Sequence, residues 1–184
     1  KVIILANTYD QVNDVIFAYI RTQHVDAIPG SGGYLYPKAM RMEYTPEHVL
    51  QGLATDTKVG EQQVKGLSGR HFGKVAVIID EAQGADKATL ETAENICTGP
   101  DDKIIVLYNP TDPGCAIREA MGVLLPDGTP LWNEVQISGE NHPNVVYNRM
   151  IIPGAVSREF IAAKLAIGVT KESAIYRASV LGIW

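Results

Sequence analysis

Two adjacent carboxylates, Asp80 and Glu81, follow the apolar run Val75-Ala-Val-Ile-Ile79. A run without polar interruption predicts a strand buried on both faces, the usual state in a parallel sheet under helices. The C-terminal tips of such strands are where open α/β sheets bind ligands. An Asp at that tip can hold Mg²⁺, directly or through water. A Glu beside it can orient and deprotonate a water that attacks a phosphoryl group. The same residues also read as a core strand followed by a solvated acidic turn.

Three more side chains extend the phosphoryl-transfer reading. Asn109 ends the next apolar stretch, Lys103 to Tyr108, where a small polar residue can sense a γ-phosphate; it also reads as a turn asparagine before Pro110. Arg70 lies in a glycine-containing loop upstream and could serve a neighbouring subunit's nucleotide as an arginine finger, or be a solvated loop residue. Gln83 makes the strand end Asp-Glu-Ala-Gln, a variant of the helicase box, and alternatively begins a helix. The phosphate-cradling pattern G-x-x-x-x-G-K-[ST] is not matched. Gly69-Arg-His-Phe-Gly73-Lys74-Val75 is one residue short and has Val where a hydroxyl belongs, and Gly30-Ser-Gly-Gly33 lacks the Lys. Both read as plain loops.

The elements that must hold these residues alternate along the chain. Val2 to Ala6 predicts a strand, Thr8-x-x-Gln11 a capping box, and Val12, Val15, Ile16, Tyr19 and Ile20 the apolar stripe of a helix. Met40 to Tyr44 and His48 to Thr55 predict two strands about Thr45-Pro46, and Asp56 to Gly69 a short, weak helix. Asp86 can cap a helix carrying Leu90, Ala93, Ile96 and Cys97, and a short helix follows at about Cys115 to Met121. Trp132 to Ser138 predicts a last strand. From Gly139 the texture changes: Asn141-His-Pro-Asn144 reads as a loop. Ser157 caps a helix with Phe160, Ile161 and Leu165, and Thr170 caps one with Ile175, Tyr176 and Val180 closed by Gly182. The alternation predicts an α/β fold, a three-layer, mostly parallel sheet. The expected division is a core at 1–139 and a small helical lid or linker at 140–184.

The totals fit a single globular domain. With 184 residues, 46% hydrophobic, the chain can build a real core. A net charge of −5 excludes a broad basic face, so DNA contact would be local. Cys97 and Cys115 form no metal-binding spacing, the histidines are scattered, and no apolar run approaches a membrane span, so a reducing cytoplasm is expected.

The motifs together resemble phage terminase large subunits. Val2-Ile-Ile-Leu-Ala-Asn-Thr8-Tyr-Asp-Gln-Val12 is similar to the segment following their Walker A helix, and Gly66-Leu-Ser-Gly-Arg70-His71 leading into Asp80-Glu-Ala-Gln-Gly84 to their Walker B region. Tyr108-Asn109-Pro-Thr-Asp-Pro113 resembles their coupling motif. Asn141 to Asn144, Ile152-Pro-Gly154 and Ser173 to Trp184 match their lid and linker. The resemblance implies the P-loop NTPase fold and an ATPase motor that drives viral DNA into a capsid, using ATP and Mg²⁺. Asp80 would be the Mg²⁺-side carboxylate, Glu81 the base, Asn109 the coupling residue and Arg70 the finger in trans. Asn7, Thr8, Asp80 and Gln83 would border the nucleotide. It implies double-stranded DNA, a portal protein and a terminase small subunit as partners, a homo-oligomeric ring, no membrane, and the cytoplasm of the bacterial host. The stretch would be the middle of an ATPase domain, with the Walker A strand and helix and a nuclease domain outside it. Alone it is expected to bind ATP weakly and not to hydrolyse it. Two alternatives stay open: a superfamily 2 helicase or translocase, from Asp-Glu-Ala-Gln, and a non-catalytic assembly or DNA-binding module with the same fold.

Overall fold

A computed structural model describes residues 1–26, 32–55 and 73–184. Arg70, the helix expected at 56–69 and parts of both glycine loops lie outside these residues. Contacts divide the chain into two compact units, Lys1–Tyr108 and Asn109–Trp184, so residue 139 falls inside the second.

The first unit is built on a sheet. Strands β1 (Val2–Ala6), β2 (Tyr34–Leu35), β3 (Arg41–Glu43), β4 (Val49–Ala54), β5 (Ala76–Ile79) and β6 (Lys103–Val106) lie in the order β2-β3-β4-β1-β5-β6. β4, β1, β5 and β6 are mutually parallel; β3 runs antiparallel to β4, the hairpin expected about Thr45-Pro46, and the short β2 runs antiparallel to β3. The carboxylate-bearing strand, β5, is therefore interior and parallel, with Ile79 level with Leu5 of β1 and Val106 of β6. Burial on both faces belongs to β1, whose Ile3, Ile4, Leu5 and Ala6 are all buried. In β5 one face, Val75, Val77 and Ile79, is buried, while Ala76 and Ile78 on the other are half-buried. β6 is the sheet margin among the described residues, and it exposes Ile105 and Leu107.

Helix entry after β1 departs from the expected stripe. The chain winds first through a π-turn, Gln11–Ile16, and only then into α1 (Phe17–Asp26). The Phe17 amide donates to the Val12 carbonyl, five residues back, so the wide turn puts Phe17 on the same face as Val12. Both are fully buried, and they pack with Ala6 and Ala54. Val15 and Tyr19, which a 3.6-residue period would bury, are exposed instead. Gly52 of β4 makes room for this. A Cβ there would lie 2.5 Å from Val12 Cγ1 and 2.6 Å from Phe17 Cε2.

After β5 comes α2 (Lys87–Ile96). Asp86 caps it through the Thr89 amide, and Leu90, Ala93 and Ile96 are buried as their spacing predicts. Cys97 falls just past the last turn; its half-buried thiol is pushed up chiefly by burial.

The second unit is helical and irregular. α3 (Ala116–Met121) starts after Cys115, and Leu124 pairs with Pro130 across the Pro126-Asp127-Gly128 turn. Trp132 to Ser138 forms no strand: Val135 and Ile137 are 73% and 82% exposed, and no ladder partner lies beside them among the described residues. Alternation without a partner strand leaves the segment merely extended. The expected loop at Asn141 to Asn144 is instead a 3₁₀ turn, Gly139–Asn141, followed by α4 (Pro143–Val146), with Pro143 at its first position. α5 (Arg158–Ala166) is capped by Ser157 as expected, yet of Phe160, Ile161 and Leu165 only Ile161 is buried. The last helix begins at Ser173 rather than Thr170, because the Ser173 hydroxyl accepts the Tyr176 amide; α6 (Ala174–Tyr176) runs into a second π-turn, Arg177–Leu181, which ends at the left-handed Gly182. Val145, Ile161, Tyr176 and Val180 make this unit's own core.

Candidate active site

β5 ends in an elbow. The Asp80 amide donates to the Leu5 carbonyl at 2.8 Å, and the Ala82 amide to the Leu107 carbonyl at 3.0 Å, so the turn is strapped to the strands on both sides. Between these anchors Glu81 adopts φ 50°, ψ 42°, the left-handed region. For a residue with a Cβ this conformation costs about 1–2 kcal/mol and persists only where the surroundings dictate it. A single 3₁₀ turn, Ala82–Gly84, follows. The result sets the Glu81 side chain in solvent while Asp80 stays half-buried.

The first strand-to-helix connection supports the elbow from the β1 side. Asn7 Nδ2 donates to the Glu81 carbonyl at 3.0 Å, and the Gly84 amide donates to the same oxygen at 3.0 Å. Gly84 is dictated by this contact, because a Cβ there would collide with the Asn7 amide. Thr8 Oγ1 accepts the Gln11 amide at 3.2 Å, one half of the expected capping box. The other half is not made: the Gln11 side chain reaches across to donate from Nε2 to Asp80 Oδ2 at 2.9 Å. Asn7, Thr8, Asp80, Glu81 and Gln83 thus lie on the two connections that follow β1 and β5. Gln11 was legible only as a capping residue, and no local signal marks its bond to a group 69 positions away.

The remaining oxygen of Asp80 takes no hydrogen bond from any described residue. No group of three or more His, Cys, Asp or Glu side chains suited to a metal occurs among the described residues. One open carboxylate oxygen suits Mg²⁺, which in phosphate sites takes one or two carboxylates and otherwise relies on water and phosphate. A fixed acid beside an exposed one, at the tip of an interior parallel strand, can place a cation and a base side by side.

Asn109 opens the second unit, its carbonyl accepting the Thr111 amide at 2.8 Å. It lines a cleft of about 690 Å³ with Asn141, His142, Ser157, Phe160 and Ser179. The Asn141-to-Asn144 motif proves to be a scaffold. Fully buried Asn144 accepts the Ile151 and Ile152 amides at 2.8 and 2.9 Å and donates to the Ile152 carbonyl at 2.9 Å, pinning the loop after α4. Nearby, the Lys171 ammonium and Tyr176 hydroxyl both donate to Glu140 Oε1 at 2.7 Å. Lys171 first, then Tyr176, holds the Glu140 carboxyl below the usual carboxylate range, while burial and Glu140 push the Tyr176 phenol up.

No family model matches the chain. Over 99% of its length it is 27% identical to a probable terminase large subunit of Enterobacteria phage P7, of which it spans 36%. Its fold matches the large terminase of a thermophilic bacteriophage (TM-score 0.61, 12% identity), covering all of this chain and 40% of that one. An ADP complex of that same thermophilic phage protein gives 0.59 at 11% identity, with the same coverage. The bacteriophage HK97 large terminase also gives 0.59, at 10% identity, over 98% of this chain and 39% of that one.

Proposed function

We propose that this relative of the phage terminase large subunits supplies the ATP-hydrolysing part of a motor that drives double-stranded DNA into a capsid. The observation that carries the reading is the elbow: Glu81 is forced into a left-handed conformation that puts its carboxylate in solvent, beside an Asp80 tied back by Gln11. Strained backbone clusters at functional sites, which supports a chemical role for this side chain.

In this reading Asp80 holds Mg²⁺, which when bound neutralises charge on the phosphoryl oxygens. Glu81 takes the proton from the attacking water. Gln83 lies in the turn directly after the elbow, and Asn7 and Thr8 border it from β1; these three form the nucleotide side of the site. Asn109 begins the second unit, a position suited to passing the state of the nucleotide to residues 140–184 acting as a lid or linker. Arg70, outside the described residues, is proposed as a finger acting on a neighbouring subunit. The margin of β6, last in the strand order of the described residues, suits a further parallel strand such as one leading to a phosphate-binding loop. Portal protein, small subunit, a homo-oligomeric ring and the host cytoplasm belong to the same proposal. No described helix is long and apolar enough to cross a membrane.

The test is Glu81→Gln in the full-length protein. Hydrolysis is expected to fall by a factor on the order of 10²–10⁴, the usual worth of a general base, with ATP binding retained. Unchanged turnover would overturn the assignment, and lost binding would make Glu81 a structural residue.

A further inference from the structure

We infer that Gln11 and Asn7 are positioning residues that divide the control of the acidic elbow: Gln11 aims the Asp80 carboxylate at a divalent cation, and Asn7 fixes the backbone that carries Glu81. This rests on the roles of Asp80 and Glu81 proposed above.

Gln11 has an obvious local use that it forgoes. In a capping box the residue three after the cap folds its side chain back to the cap's amide. Thr8 makes its half of that exchange, but the Gln11 amide group goes instead to Asp80, at 2.9 Å and partly buried. A carboxylate with one oxygen so held favours one orientation, which sets where its second oxygen points. The donor's chemistry matters as much as its position. A neutral amide orients Asp80 without cancelling its charge, whereas Lys or Arg there would compete with the metal for the same oxygens.

Asn7 acts on the other acid through the main chain. A left-handed Glu must be over-determined by its neighbours, and its carbonyl receives two donors, Asn7 Nδ2 and the Gly84 amide, both at 3.0 Å. The space that Asn7 occupies is open because position 84 carries no Cβ. Asn7, Glu81 and Gly84 are thus one lock, and Gln11 with Asp80 another.

Three variants of the full-length protein separate them: Gln11→Met, near in volume but without a donor, Asn7→Ala, and Gly84→Ala, which evicts the Asn7 amide without touching it chemically. Three quantities are read: Mn²⁺ affinity by electron paramagnetic resonance with ADP present, kcat and KM for ATP, and the melting temperature. Gln11→Met should weaken Mn²⁺ binding roughly tenfold, the ordinary effect of losing a metal ligand's hydrogen-bond partner. Gln11→Lys, which keeps a donor but adds charge, should weaken it as well. Asn7→Ala and Gly84→Ala should each lower kcat roughly tenfold, and Gly84→Ala should do so with Mn²⁺ affinity at the parent's value. A Gln11→Met protein that only melts earlier, with parental Mn²⁺ affinity, would leave Gln11 a helix residue and overturn its assignment. Equal loss of Mn²⁺ affinity in all three variants would overturn the division. Asp80→Asn is the control on the underlying reading: if it leaves Mn²⁺ binding intact, the metal assignment itself is wrong, whatever Gln11 does.

Discussion

Replacing Glu81 by a graded set of residues should separate its chemistry from its backbone. At φ 50°, ψ 42° it sits close to the centre of the left-handed region, where the clash is between Cβ and the following carbonyl. Glycine removes that clash, worth about 1–2 kcal/mol, but adds about 0.5–1 kcal/mol of chain entropy to the unfolded state. Glu81→Gly should therefore exceed Glu81→Ala in stability by about 0.5–1 kcal/mol. That corresponds to roughly 1–4 °C in melting temperature for a domain of this size. Asparagine, which tolerates the conformation, should fall near glycine. Valine, whose branched Cβ does not, should lie about 1 kcal/mol or more below alanine. The exposed carboxylate makes no hydrogen bond with a described residue, so nothing is lost with it that would mask this order. The assay is a calorimetric melt of each purified variant beside its ATPase rate. All four should be inactive while their stabilities spread as Gly, Asn, Ala, Val. If Glu81→Gly melts below Glu81→Ala, the strain argument is refuted, and with it the reason for regarding the elbow as built for its side chain.

Two further outcomes follow from the packing and the charges. Gly52→Ala should cost about 1–3 kcal/mol by denaturant titration, because the added methyl meets the fully buried Val12 and Phe17; a neutral result would mean that the π-turn is not held there. The Glu140 carboxyl is held low in the folded state, so its contribution is present above the unfolded value of about 4.3 and is lost as pH falls through the folded one. Its partners Lys171 and Tyr176 are held high, so theirs is present below their unfolded values and lost as pH rises through the folded ones. Glu140→Gln should flatten the melting temperature against pH at both ends, and an unchanged acid limb would show that Glu140 is not the group responsible.

The parallel core was legible because long β-branched runs between capped helices admit few other arrangements. Asp80 and Glu81 stood out from their place at a strand end, which depends on spacing alone, whereas Asn7 came only with the family resemblance. The second unit was read less well. Trp132 to Ser138 has the composition of a strand, but a strand needs a neighbour, and that is a property of the whole fold rather than of seven residues. The Thr170 and Ser173 hydroxyls are equally good caps by type, and only the packing of Tyr176 into its core selects the second. The predicted stripe after Thr8 failed for one reason: period counting assumes a uniform helix, and this one has a wide turn in it. The bond from Gln11 to Asp80 was hidden behind the same assumption.

That wide turn also constrains how the segment can change. One surplus residue is lodged between the end that touches the acids and the end that lies on the sheet. Each end therefore keeps its own rotational setting. A regular spiral of the same length here would swing everything beyond it by about 100°, withdrawing Phe17 from its socket. Losing one residue together with the wide turn would keep Phe17 a single turn beyond Val12, so the turn and its surplus residue stand or fall together.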